Sequence, residues 1–301
     1  MRHLVLPLAL CVSCGPNHHD PLCLGVSGPP GDAQALEWQP PEPPPAEATI
    51  IDCGGGTRGR LDVRKSNSVV RNCRIEGDVR VWGLVRSLNP GTLRERSYED
   101  GYVDYVRANA PTNVLLEDVT IVGSGTIPLY VAPGVTFTTI RRVTIEGSSV
   151  STMVYLDAES HGTTIEDSTI DATDAGREAI AIDSSDSNVI RRTTIHHSHG
   201  GIYLYRNCGE GGTSRITTPS ENEITDNTFD GDGRVAVWLG SRDGMRCYCG
   251  EDAEGSYGSA KSDMDHARFN TVTGNELNDQ DTRAGSSSVP NILDDTGSYS
   301  D

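Results

Sequence analysis

Two carboxylates, Asp157 and Asp183, each close a short apolar run, Met153–Asp157 and Ala179–Asp183. Pro128–Ala132, Gly201–Tyr205 and Ala236–Gly240 share that layout. If each run is a strand, alternate side chains point to opposite faces. Leu129, Val154, Ile180, Ile202 and Val237 then face a core together with Val131, Leu156, Ile182, Leu204 and Leu239. Tyr130, Tyr155, Ala181, Tyr203 and Trp238 face outward, and the next outward position carries Ala132, Asp157, Asp183, Tyr205 and Gly240. If the runs stack as neighbouring strands, the aromatics line up at about 4.8 Å intervals and the two carboxylates lie about one strand spacing apart.

Each feature implies a chemistry. Sugar rings pack their C–H faces on aromatic rings while phenol and indole groups reach hydroxyls. Tyr130, Tyr155, Tyr203 and Trp238, with Arg242 and Asp186 nearby, are therefore candidate polysaccharide-binding residues. Like charges about 5 Å apart either raise one pKa or recruit a cation, which makes Asp157 and Asp183 candidate catalytic residues with Tyr205 and Arg206. In a glycoside hydrolase the pair would supply the acid and the base or nucleophile, and a spacing of about 5 Å favours retention. In a lyase, Asp157, Asp183 and Glu159 would hold a Ca²⁺ that acidifies the α-proton of a uronate. Arg206 would be the base if its environment permitted, with Tyr203 or Tyr205 the simpler choice. A non-catalytic binder needs only the aromatics and tolerates loss of either carboxylate. A loop folded over the row would instead make it additional core, and a register slip of one residue would exchange the faces.

What must position these residues is a repeat. An aliphatic residue, four mostly polar residues rich in Thr and Asn, and a second apolar residue recur seven times. The instances start at Val70, Leu116, Ile140, Ile165, Ile190, Ile224 and Val272 and end at Ile75, Ile121, Ile145, Ile170, Ile195, Phe229 and Leu277. Ile, Val and Thr dominate and Gly punctuates the units, so tight-turned strands fit and a helical period does not. A period in the low twenties suits one coil of an all-β, single-stranded right-handed parallel β-helix. The step from Val70 to Leu116 reads as about two coils. The long steps after Ile190 and Ile224 predict two loop insertions, near Cys208–Pro219 and Asp243–Asp265, on a face that walls a binding site.

Asn188–Ile195 (NVIRRTTI), Gly201–Leu204 (GIYL) and Asn222–Phe229 (NEITDNTF) resemble the repeats of NosD-like right-handed β-helix proteins. The resemblance spans roughly Ala48–Asp279 and implies a pectate-lyase-like fold of the kind found among carbohydrate-binding proteins and sugar hydrolases. No signature of pectin hydrolases or alginate epimerases is present, so no catalytic residue is carried over. The resemblance also implies an alternative, an accessory lipoprotein that handles copper or a partner protein. Only 4 Met and no His cluster disfavour copper.

The rest of the chain bounds location and partners. With 25 Lys and Arg against 43 Asp and Glu, the net charge is −18, and a polyanion such as nucleic acid is not an expected partner. Residues 1–14 read as an export signal that resembles a bacterial lipoprotein signal, with Cys14 the lipidated residue and Cys11 an unusual neighbour. Plain secretion is the alternative. The apolar stretch is too short to span a bilayer, so membrane contact is expected only through the lipid, in a secreted or cell-envelope monomer. Residues 15–47 read as a Pro-rich tether, 48–279 as the β-helix and 280–301 as a disordered tail. Cys53 is expected to pair with Cys73, and Cys208 with Cys247 or Cys249, leaving Cys23 and the other of that last pair. No second close Cys or His pair supports zinc. His196, His197 and His199 read as surface histidines of a turn, His199 being the one placed for metal binding or proton transfer.

Overall fold

A computed structural model describes residues 48–83, 101–207, 216–243 and 264–293, all within the unit Pro41–Asp301. They form the right-handed parallel β-helix that the repeat predicts. Every coil has three strand faces. The first carries β1 (Thr49–Asp52), the start of β3 (Ser68–Val81) and of β4 (Thr112–Gly125), β6 (Thr136–Arg141), β9 (Thr164–Glu166), β12 (Val189–Arg191), β15 (Glu223–Thr225), β18 (Thr271–Thr273) and β20 (Ile292–Leu293). The second carries β2 (Thr57–Val63), the middle of β3, the end of β4, β7 (Thr144–Ser149), β10 (Thr169–Ala172), β13 (Thr194–His197) and β16 (Thr228–Asp230). The third carries the ends of β2 and β3, then β5 (Leu129–Val131), β8 (Val154–Leu156), β11 (Ile180–Asp183), β14 (Ile202–Tyr205), β17 (Val235–Leu239) and β19 (Asp281–Ala284).

Register follows the six-residue pattern. Val70, Leu116, Ile140, Ile165, Ile190, Ile224 and Val272 are mutual partners down the first face. Ile75, Ile121, Ile145, Ile170, Ile195 and Phe229 are partners down the second. All of them are buried, each contributing about 1.5–3 kcal/mol of transfer free energy.

The four polar residues between these columns make the corner. The second of the four is left-handed on every coil: Asn72, Asp118, Arg142, Asp167, Arg192, Asp226 and Gly274 have φ of 52, 54, 52, 51, 48, 56 and 69°. Asn, Asp and Gly tolerate that conformation; the two arginines gain ion pairs instead. Charge alternates from coil to coil along this corner. Asp52 pairs Arg71 at 2.7 Å, Asp118 pairs Arg142 at 2.8 Å, and Asp167 pairs Arg192 at 2.7 Å. One position earlier, Glu166 accepts from Arg191 at 2.6 Å. Neighbouring coils therefore meet through opposite charges at this corner. A second left-handed column, Asn67, Asn113, Phe137, Gly162, Ser187, Glu221 and Phe269, turns the chain into the first face.

Inside the later coils the asparagines stack. Asn188 Nδ2 donates to Asn222 Oδ1 at 2.8 Å, Asn222 Nδ2 to Asn270 Oδ1 at 2.9 Å, and Asn270 Nδ2 to Asn291 Oδ1 at 3.2 Å. Each Oδ1 also accepts a backbone N–H, from Asn188, Asn222 and Asn270 in turn. The ladder thus satisfies amide groups of buried turns that water does not reach.

The structure corrects three readings of the repeat. Val70 and Leu116 pair directly, so the long step between them is one coil with an insertion, not two coils. That insertion includes helix α1 (Tyr102–Ala108), whose Val106 occupies space a Cβ on Gly134 would need, 2.5 Å from Val106 Cγ1. Beyond Asp279, β19 and β20 pair with β17 and β18, because Thr282 and Leu293 continue the apolar-facing columns through a polar stretch. His196 and His197 belong to β13 rather than a turn; strand alternation turns His197 inward beside Ile195, where it is fully buried and meets Gln280 Oε1 at 2.7 Å. The disulfide Cys53–Cys73 forms, closing the first coil onto β3. Cys14, Cys208, Cys247 and Cys249, with the signal, the tether and the interiors of both predicted insertions, lie outside the described residues.

Candidate functional site

The third face has the register that the aligned runs predict. Tyr130 pairs Tyr155, Tyr155 pairs Ala181, Ala181 pairs Tyr203, and Tyr203 pairs Trp238. Asp183 pairs Tyr205 one column over. Arg80 and Arg283 extend the aromatic column at its two ends.

Facing outward does not make these residues open. Tyr155 is 8% exposed, Asp157 6%, and Ala181, Asp183 and Tyr205 0%. Together Tyr155, Ala181 and Tyr205 form a small apolar cluster outside the main core. Its cover comes from the stems of the two insertions. Asn207 Nδ2 donates to the Tyr155 hydroxyl at 3.0 Å, and the Arg242 guanidinium lies 4.0 Å from the Tyr205 ring centroid. Short apolar runs reveal the strand alternation, whereas cover by residues 24 to 52 positions away leaves no periodic trace.

Tyr130 and Tyr155 each reach the carboxylate of the next coil. Tyr130 OH donates to Asp157 Oδ2, and Tyr155 OH donates to Asp183 Oδ2 at 2.6 Å. Asp157 Oδ1 accepts the Ala158 N–H at 2.8 Å. Asp183 also accepts from the Asn207 N–H at 2.8 Å and Asn207 Nδ2 at 2.7 Å. These oxygens are engaged by donors of the protein itself.

Calcium does not fit the residues expected to hold it. Glu159 turns away from the Asp pair toward the first insertion, its Oε1 accepting the Ile216 N–H at 2.7 Å. Among the described residues no three His, Cys, Asp or Glu side chains gather as a metal site. Asp186 also lies elsewhere, between Arg107 and His161 Nδ1, the latter at 3.1 Å.

Two of the expected bases, Tyr205 and Arg206, are equally committed. Burial, reinforced by Glu178 and Asp183, pushes the Tyr205 phenol well above its usual range, so it stays protonated; it donates to Glu178 Oε1 at 3.0 Å. Burial also raises the Tyr203 phenol. Arg206 is pushed down by burial, against the attraction of Asp265 and Asp183, while its guanidinium donates to the Met264 carbonyl at 3.1 Å.

What stays partly open are the two ends of the row, half-buried Tyr130 at one and the Tyr203–Trp238 pair at the other. Tyr203 and Trp238 are each half-buried and meet edge to face, centroids 5.4 Å apart. Arg283 lies 5.6 Å from the Trp238 ring, and Arg177 bonds both Glu178 (2.7 Å) and the Tyr205 hydroxyl (3.0 Å) beneath. Tyr203 lies across Gly200, where a Cβ would come within 2.4 Å of its hydroxyl. Glu178 and Arg177, just before the run Ala179–Asp183, escaped the sequence analysis because their column is defined only by the fold.

One further carboxylate ties the insertion stems together. Asp265 accepts the backbone N–H of Arg206 at 2.9 Å and of Arg242 at 2.8 Å, while its own N–H donates to Asp243 Oδ1 at 2.7 Å. Burial pushes its carboxyl up to about 7 despite the two backbone donors.

A shallow depression of about 530 Å³, lined by Gly54, Gly55, Asn72, Cys73, Arg74, Asp118 and Thr120, lies beside the disulfide and includes none of the aromatic row. The family described as right handed beta helix region matches residues 98–251. No curated protein and no solved structure matches the chain.

Proposed function

The chain belongs to the right handed beta helix family, and from that premise we propose that it binds a polysaccharide across Tyr203 and Trp238 without cleaving it. Family membership supports a carbohydrate-related, extracytoplasmic role. The observation that carries the reading is the open Tyr203–Trp238 pair, two aromatic rings on successive coils with Arg283 beside them. Two rings one strand spacing apart offer a sugar chain adjacent C–H platforms, and guanidinium groups offer hydrogen bonds to hydroxyls or carboxylates.

Cleavage lacks comparable support. A general acid or base must come within hydrogen-bond reach of the substrate, and Asp157 and Asp183 are buried with their oxygens occupied by Tyr130, Tyr155, Ala158 and Asn207. We read that pair as the polar interior of the aromatic row. Lipidation at Cys14, with the Pro-rich segment as spacer, would place the binding face in the cell envelope.

Affinity electrophoresis of the full chain in gels containing soluble polysaccharides tests the reading. Retardation by at least one polymer is expected, weakened about 10-fold by Trp238→Ala. Parallel assays should show no new reducing ends and no unsaturated-uronate absorbance. A rise in either would replace binding with cleavage.

A further inference from the structure

We propose a second sugar-contacting site on a different corner of the coil, built from Phe137, His161 and Asp186. Phe137 breaks two local rules at once. Its φ is 53°, and its side chain is 55% exposed. A bulky residue in the left-handed region is an outlier, and this one recovers little of the cost by burial. Three neighbouring coils fill the equivalent position with Asn113, Gly162 and Ser187, which suit the conformation, while Phe269, at φ 59° and 53% exposed, repeats the exposed aromatic later in the column. The corner imposes that conformation on every coil, so what sets Phe137 apart is the polar relay beside its ring.

Its surroundings fit a hydroxylated ring. The Phe137 ring lies over Gly162, where a Cβ would come within 2.9 Å of Phe137 Cδ1, and meets the His161 ring edge-on at 5.3 Å. His161 Nδ1 lies 3.1 Å from Asp186 Oδ2, and Asp186 Oδ1 accepts from Arg107, whose Nε donates to the Glu159 carbonyl at 2.8 Å. That relay fixes the imidazole, and Nε2 has no partner among the described residues. An open aromatic face beside a fixed imidazole nitrogen matches the C–H face and the hydroxyls of a pyranose. Arg107 offsets the Asp186 charge, so the corner suits a sugar better than a cation even in a chain of net charge −18. The ligand class is that proposed for the Tyr203–Trp238 face, but the site is separate and is tested separately.

The test uses full-length chains carrying Trp238→Ala, so that binding at the first face is already weakened, and hexasaccharides of glucose, xylose and galacturonate as probes in titration calorimetry. Adding Phe137→Asn should lower the remaining affinity about 5-fold and raise the thermal midpoint by about 2 °C, because Asn relaxes the left-handed position. Phe137→Tyr should keep the affinity. If Phe137→Asn lowers the midpoint, the ring is held by packing and the proposal falls. It also falls if Phe137→Asn leaves the affinity unchanged, or if it abolishes a concentration-dependent dimer seen by sedimentation, which would make a second copy the occupant. If Trp238→Ala changes nothing while Phe137→Asn does, this proposal survives and the reading of the first face does not. Binding of none of the three probes by the unmodified chain overturns both.

Discussion

The Tyr155 hydroxyl donates to Asp183 across one coil spacing at 2.6 Å, and Asn207 closes the same carboxylate from the other side with its backbone N–H and its side-chain amide. Asp183 is thus a carboxyl group enclosed by donors of the protein, 0% exposed. Such a group is costly to remove because its donors are left buried without an acceptor. Asp183→Ala should cost about 3 kcal/mol in chemical denaturation. Near-native stability with altered sugar handling would return Asp183 to a direct role in the site.

Exposure separates the charges of the alternating corner. Glu166 has a side chain only 6% exposed and accepts from Arg191 and Arg192, whereas Asp118 is 44% exposed and pairs Arg142. Glu166→Gln should therefore cost about 2 kcal/mol, and Asp118→Asn below about 1 kcal/mol. One molar salt should shrink the second effect further and leave most of the first. Equal costs would show that the corner acts through net charge rather than through partly desolvated pairs.

The two halves of this molecule differed in how much their sequence disclosed. Ile, Val and Leu recurring at the ends of each six-residue pattern are local signals repeated on every coil, so both core columns and the outward register of Tyr203 and Trp238 could be read from spacing. The corner was partly legible too, since Asn and Asp fall at its left-handed position, although Arg142 and Arg192 disguise it. That a loop could cover the row was legible, but that it buries Tyr155 and Asp183 while leaving Tyr203 and Trp238 half-buried was not. That burial depends on Asn207 and Arg242, single residues at the feet of insertions that obey no repeat. The helix Tyr102–Ala108 was missed for the same reason, the gap that holds it being close to two repeat lengths.

Cys53 and Cys73 close a 20-residue separation at the first coil, where β1 pairs with β3 and with no other strand among the described residues. On loop-closure grounds the bond should contribute about 3 kcal/mol. Replacing both residues by Ser should lower the denaturation midpoint accordingly, with amide protection lost first at Thr49–Asp52. A chain whose first coil keeps its protection would place the stability of that end in strand pairing alone.

Asp265 makes stability respond to pH near neutrality. Its carboxyl is raised to about 7 in the folded chain, against about 3.9 unfolded. The folded state therefore binds this proton more tightly, and stability should rise as pH falls from 8 to 5, by about 3 kcal/mol from this group. His197 opposes the trend. Burial lowers its pKa, so folding disfavours its protonated form and stability is lost as pH falls below about 6.5. Asp118 and Asp167, held low by Arg142 and Arg192, stay ionised across this window and add no slope. The Asp265 signal is isolated by subtraction: denaturation of the native chain and of Asp265→Asn at pH 5 and pH 8 should show a smaller gain on acidification in the variant. Asn keeps one acceptor for the Arg206 and Arg242 amides but cannot titrate, so an unchanged gain would mean that the proton is taken up elsewhere than at the joined stems of the insertions.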